Sequence, residues 1–451
     1  MRIRLSDHFN YGRMLRFTLP SIVMMVFTSV YGVVDGLFVS NFAGKDAFTA
    51  INLIFPYLMI VATVGFMFGT GGSALVSKTM GEGDKEKANG YFSLLVYTAV
   101  ALSVLLGALS FVFLRPIAVF LGRGQVSESV LDKAVVYGRI LLCGLPFYVL
   151  QMMFQSFFVT AEKPKLGLVS TLASGGTNIA LDALLVILLP QEYKLIGAAV
   201  ATAASQFVGG IIPICYFFRK NKSLLRLGKT KFSGFAIGKT CVNGSSEFMS
   251  NVSMNVVAML YNMQLLRYAG ENGVAAYGVL MYVSFIFAAA FLGYTIGVAP
   301  VVGYHFGARN HFELRGLLKK SSLLVAIGSL AMLGIGEALA LPLSKMFVGY
   351  DEALLKMTVD GFRIFAFSFL FMGFAIFASG FFTALNDGVT SAIISFLRTL
   401  VFQVAAVMLL PLLWGLDGIW YSVIVAEFMA AALSWVFLFF KRKKYHYLGR
   451  L

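Results

Sequence analysis

Charge is what this sequence has least of. Of its 451 residues only 13% are charged and 59% are hydrophobic, against about a quarter charged and about half apolar in a soluble protein. Water is thereby excluded as the main solvent of the fold. Cysteine and histidine are also scarce. Cys143, Cys215 and Cys241 lie in or beside apolar runs without the close spacing of a metal site or a disulfide framework, so they read as small buried hydrophobes. The four histidines, His8, His305, His311 and His446, fall at helix ends or tails. No His-Glu-x-x-His run and no Gly-x-Ser-x-Gly elbow is present, and the chain is expected not to be an enzyme. Gly234-Phe-Ala-Ile-Gly-Lys-Thr240 has the look of a phosphate loop but is one residue short between its glycines and lacks a preceding strand. With no nucleotide-binding domain and no cofactor expected, uphill transport would have to draw on an ion gradient. The charged, amphipathic start, 1–16, is followed by no small-residue cleavage site, so it reads as retained.

What fills the chain instead is a series of long apolar stretches, over about 14–40, 49–77, 90–114, 134–160, 167–189, 195–218, 238–268, 273–303, 316–343, 357–383, 389–413 and 416–440. A bilayer core about 30 Å thick takes about 20 such residues per helix, so the twelve stretches predict twelve crossings. The formal net charge of +15 belongs to topology rather than to nucleic-acid binding. With Met1 on the inside, about 26 of the 36 Lys and Arg fall in inner segments and about 10 in outer ones. Both termini are therefore expected in the cytoplasm.

The polar stretch starting at Arg219 divides the chain into two similar halves. A shift of about 226 residues lays Phe42-Ala-Gly44 on Tyr268-Ala-Gly270 and Ala74 to Gly81 on Pro300 to Gly307. A shift near 221 to 224 lays Arg139 on Arg363 and Phe158-Val-Thr-Ala161 on Phe381-Phe-Thr-Ala384. The expected organisation is a first lobe at 1–218, a basic cytoplasmic connection at 219–237 and a second lobe at 238–451. Six helices separate the copies, so both halves enter the membrane in the same direction, related by an axis along its normal. Such a pair leaves a cleft between its halves.

Ionisable groups inside a span cost a few kcal/mol each and usually face the bundle interior. Asp35, Asp182, Glu247 and Glu427 are of this kind. Tyr31 and Asp35 share a face of the first helix at i,i+4, as do Asn178 and Asp182 in the fifth, and Pro20 is placed to bend the first helix. These four side chains are expected to meet in one polar pocket of the first lobe with Gln155 and Gln206. Acids held there can take and release a proton, or hold Na⁺ with neighbouring oxygens. Glu247, with Asn251 at helical spacing, is placed to meet a cationic substrate in the cleft. Met254, Tyr277 and Met281 belong to Met and aromatic stripes suited to flat cations. Glu427 is expected to pair with Arg398.

Leu19-Pro20, Tyr31-Gly-Val-Val-Asp35-Gly-Leu-Phe-Val39, Phe42-Ala-Gly44, Gly69-Thr-Gly-Gly-Ser-Ala-Leu-Val76, Met80-Gly-Glu-Gly-Asp84, Asn178 to Asp182 and Phe382-Thr-Ala-Leu-Asn-Asp-Gly388 together resemble the multidrug and toxic compound extrusion (MATE) family, nearest its bacterial branch of staphylococcal-type exporters, over essentially the whole chain. The resemblance implies an all-α integral membrane protein whose two pseudo-symmetric six-helix lobes form a V in the bacterial inner membrane. It further implies export of hydrophobic organic cations in exchange for H⁺ or Na⁺. The family's first-helix acid falls on Asp35, its kink proline on Pro20, its fifth-helix pair on Asn178 and Asp182, and a seventh-helix acid on Glu247. No acid lies between Arg363 and Thr383, so schemes that need one in the tenth helix do not carry over. Alternatives of other classes are a lipid or lipid-linked oligosaccharide flippase, which would bring further helices and a cleft rich in Arg and Lys, and a non-transporting membrane sensor. The transporter is expected to act as a monomer.

Overall fold

The computed structural model describes residues 3–38, 45–122, 126–221 and 223–447, and its elements are helices with no strand among the described residues. This is what lipid demands, since a helix satisfies every backbone N–H and C=O within its own segment. The elements are α1 (Tyr11–Phe38), α2 (Lys45–Gly81), α3 (Lys85–Gly122), α4 (Glu128–Thr160), α5 (Pro164–Leu188), α6 (Lys194–Phe218), α7 (Gly234–Gly307), α8 (His311–Val348), α9 (Glu352–Ala366), α10 (Phe369–Ala384), α11 (Gly388–Phe396), α12 (Phe402–Leu409) and α13 (Pro411–Tyr445).

Two of these conceal a turn between crossings. Gly270 has φ +62° and Gly415 φ +57°, a left-handed backbone that glycine adopts without a Cβ penalty, so α7 consists of a first arm at 234–269 and a second at 271–307. Conversely, α9 and α10 form one crossing bent by 49°, and α11 runs into α12 through a π-turn at Leu397–Val401. Among the described residues ten helices are long and apolar enough to cross a membrane, eleven with the bent pair. The first arm of α7, which carries Lys239, Asn243, Glu247, Asn251 and Asn255, is of crossing length but is not among them. All twelve apolar stretches of the sequence thus have a helical counterpart. Phe42-Ala-Gly44 lies outside the described residues.

The surface is apolar where lipid would lie: Val112, Phe120, Leu413 and Phe440 are each at least two-thirds exposed. The interior holds polar side chains, among them Gln151, Gln155, Asn178, Asp182 and Asn243, the reverse of a soluble protein.

Two pseudo-symmetric lobes meet through glycines, and the contacts obey the sequence shift. A Cβ at Gly81 would stand 2.0 Å from the Tyr304 carbonyl oxygen, and one at Gly307 would stand 2.0 Å from that of Lys78. The shift that carries Gly81 onto Gly307 also carries Lys78 onto Tyr304, so these are one contact seen twice. Ser77 and Gly303 are likewise equivalent and touch each other, the Ser77 hydroxyl lying 2.3 Å from where a Gly303 Cβ would be. They mark the pseudo-two-fold axis. Gly71 and Gly244 bring α2 against the first arm of α7, and Gly293 and Gly297 bring the second arm against Thr18, Ser21 and Ile22 of α1, the same pairing in the other lobe. Small residues allow such backbone approach in membranes.

All these contacts lie at the end of the bundle where α1 begins and α2 and α7 finish. Toward the other end no glycine among the described residues has the opposite lobe nearest to its would-be Cβ. The two lobes therefore form a V, closed at the end of the N-terminus and parted at the opposite one.

Candidate functional site

Gly175 sets the geometry of the first lobe. A Cβ there would lie 2.5 Å from the Phe27 ring and 2.9 Å from that of Tyr31, so its absence lets α5 settle against α1. One turn and two turns further on, Asn178 and Asp182 come opposite Tyr31 and Asp35. Asp35 lies beside both Asp182 and Asn178. Asp182 and Asn178 are 0% and 1% exposed, while Asp35 is half-buried.

These groups are poorly supplied with partners. Apart from the facing Asp35 carboxyl group, neither carboxylate oxygen of Asp182 has a partner, and Oδ1 of Asn178 is unpaired as well. Buried polar atoms are as a rule hydrogen-bonded, because an unmade bond costs about 1–3 kcal/mol and more for a charge. Two carboxyl groups facing each other in such surroundings can share a proton or enclose a small hard cation, the ligand for which carboxylate and amide oxygens are suited.

Tyr137, Tyr148 and Gln151, which the sequence analysis did not single out, join this cluster. Tyr137 of α4 lies near Asp35, Asp182 and Thr202, and Tyr31 is flanked by Tyr148 and Gln151. Gln151 donates to the Ser174 hydroxyl at 3.1 Å, which in turn donates to the Ser205 carbonyl at 2.7 Å. Gln155 is buried, with neither amide atom bonded, and Gln206 sits against Gly144 with its oxygen unpartnered. Tyr148, Gln151 and Gln155 recur at i, i+3 and i+7, one face of α4, which was the available signal. Pro20 is buried at the turn of α1 that meets Gly293 and Gly297 of α7.

In the second lobe Arg398 and Glu427 pair at 2.8 Å between Nε and Oε2, as their positions in the spans led one to expect. Arg398 lies in the π-turn, a feature that often marks functional sites, and its charge also reaches Glu247. The cluster thus joins two carboxyl groups to one guanidinium. Asn251 is half-buried and donates to the Glu247 carbonyl at 2.9 Å. Met254 is exposed and Met281 half-buried, whereas Tyr277 is 6% exposed and stacked on Tyr261 at 5.0 Å. Tyr261 in turn is held by Gln403 at 2.8 Å and Ser422 at 2.7 Å, so this aromatic pair belongs to the packed interior of the lobe.

Removing the guanidinium leaves Glu427 buried and unpaired, so Arg398→Ala is expected to destabilise the protein by about 3 kcal/mol, whereas Arg398→Met with Glu427→Met recovers most of it. Thermal unfolding in detergent measures both. Equal losses in the two variants would show that the pair is not what holds this region.

The comparisons with known proteins agree with this architecture. A profile described as MatE matches residues 20–184 and again 248–409, once in each half. The multidrug export protein MepA of Staphylococcus haemolyticus is 24% identical, with 96% of this chain and 94% of that protein covered. Its counterpart in Staphylococcus aureus (strain NCTC 8325 / PS 47) is 23% identical with the same coverage. A solved structure of a multidrug resistance MATE family transporter in an outward-facing conformation superposes with TM-score 0.89 at 21% identity, covering 98% of both chains. With the profile matched over most of its length and the same paired-lobe fold, this multi-pass membrane protein belongs to the MATE family.

Proposed function

We propose that the protein is a secondary antiporter that exports hydrophobic organic cations in exchange for H⁺ or Na⁺ by alternating access. The observation that carries this reading is the pair of under-bonded carboxyl groups, Asp35 and Asp182, held with Asn178 in the first lobe. The multidrug export named for the MepA relatives supports the substrate class. Tyr31, Asp35, Asn178 and Asp182 bind the coupling ion. Gln155 and Gln206 border them, and Pro20 lets α1 bend as the ion binds and leaves. Glu247, Asn251, Met254 and Met281, with Tyr277 behind them, face the cationic substrate.

The first lobe comprises 1–218 and the second 238–451, joined by the basic segment 219–237, with both termini in the cytoplasm of a bacterial inner membrane. In that orientation the end closed by Gly81 and Gly307 is the inner one, and the V is open outward. Coupling requires that ion and drug prefer different states, since a ligand binding both equally shifts neither. The transporter works as a monomer, without cofactor and without catalysing a covalent reaction.

The test is ethidium movement in proteoliposomes under imposed pH and Na⁺ gradients, comparing the unmodified protein with Asp35→Asn. One gradient should drive the drug, and the variant should not respond to it. An electroneutral exchange of one H⁺ for one monovalent cation sustains about a tenfold drug gradient per pH unit. Absence of movement under either gradient, with a folded protein, counts against drug antiport and directs the search to lipid flipping.

A further inference from the structure

The segment before α1 is neither loose nor helical. Leu5 and Phe9 are 0% and 1% exposed, and the backbone between them is held at both ends by carboxylates from opposite lobes. The Leu5 N–H donates to Glu162 Oε1 at 2.8 Å, just past the end of α4. The Phe9 N–H donates to Glu313 Oε1 at 2.8 Å, in the first turn of α8, and His8 Nδ1 lies 2.6 Å from the other oxygen of Glu313. Lys320 of α8 donates to the Phe9 carbonyl oxygen. Between these anchors the chain turns, the Asp7 N–H donating to the Arg4 carbonyl oxygen at 3.1 Å, and the segment bridges the two lobes across the end of α7. There His305, buried, lies against the backbone of Leu5 and Asp7. Glu162 itself has φ +57°, a conformation uncommon for a residue with a side chain and often kept for function.

We propose that residues 5–9 are a strap that latches the inner ends of the two lobes and has to unseat each time the cleft opens on that side. This rests on the alternating-access reading above. It explains why two acids far apart in sequence each spend a buried oxygen on the same short stretch of backbone: the two bonds cannot both survive if the lobes part. Hydrogen bonds to charged groups are among the stronger ones, and losing one shifts the open–closed balance by about tenfold.

The test uses the full chain in detergent with Cys143, Cys215 and Cys241 replaced by alanine and Ser77→Cys as the reporter, because Ser77 is 0% exposed on the pseudo-two-fold axis. Its rate of labelling by a maleimide reads how often this end opens. Glu313→Ala and Glu162→Ala should each raise that rate about tenfold, and deletion of residues 3–8 at least as much. Unchanged labelling in the variants that fold overturns the strap, whether or not their melting temperatures fall. Labelling needs neither drug nor gradient: faster labelling in a protein that moves no cation keeps the strap and removes the antiport, while unchanged labelling in an active exporter does the reverse.

Discussion

An Asp182→Asn variant is expected to lose gradient-driven cation movement while unfolding no earlier than the unmodified protein. The two effects separate a working carboxylate from a structural one. If Asp182 were a hydrogen-bonded buttress, an amide of the same shape would lose its bonds and destabilise α5. Its oxygens have no partner but the facing Asp35 carboxyl group, which an amide can still meet with its own N–H, and the substitution removes an ionisable group from a site 0% exposed, where an uncompensated ion costs several kcal/mol. Stability is therefore expected to stay level or rise. Transport falls by at least about 100-fold, since a site that no longer distinguishes ion-bound from ion-free states cannot move a conformational equilibrium. Asp35→Asn should behave alike, and the double variant should be no worse than either, as expected of two acids acting as one unit in the proposed antiport. A lowered melting temperature with transport retained would return Asp182 to the role of a structural residue.

The reach of sequence reasoning differs between the spans and the contacts among them. Span positions are legible because lipid tolerates only continuous apolar helices, and Gly270 and Gly415 fall where the apolar stretches break. The facing of Asp35 and Asp182 follows from i,i+4 spacing on two helices, and the Arg398–Glu427 pair from the expense of leaving either alone in a span. Tyr137, Tyr148 and Gln151 were hidden because an aromatic or amide inside an apolar run carries no mark of which face it takes. Tyr277 shows the same ambiguity: its stripe suited a cavity, yet its ring stacks on Tyr261 inside the lobe. The strap leaves no local pattern at all, since its bonds join Leu5 to Glu162 and Phe9 to Glu313 through backbone N–H groups. The duplication, faint as a sequence match, becomes plain once Gly81 and Gly307 are seen to perform one contact twice.

That doubled contact carries the other large expectation. Gly81→Ala combined with Gly307→Ala should hold the inner end of the V open and reduce efflux by at least about 100-fold. Each new methyl would stand 2.0 Å from a backbone carbonyl oxygen of the opposite lobe, and no side chain can rotate aside to admit it. Overpacking of this kind costs up to about 3 kcal/mol per site, and the two sites lie on separate backbone contacts. Their sum of about 6 kcal/mol exceeds the 5.5 kcal/mol or so that carries an equilibrium from 99:1 to 1:99, whereas a single substitution falls short and should leave partial activity. The interior of each lobe is not touched, so the protein still folds. Spin labels at Lys87 and Phe312, at the starts of α3 and α8, should move apart in the double variant and much less in either single one. Unchanged distances with full efflux would mean that the closure of this end is not part of the transport cycle. Because loss of the strap acts on the same equilibrium but only by about tenfold per bond, Glu313→Ala is expected to add little once both alanines are present, which places the glycine contacts, not the strap, as the main determinant of closure.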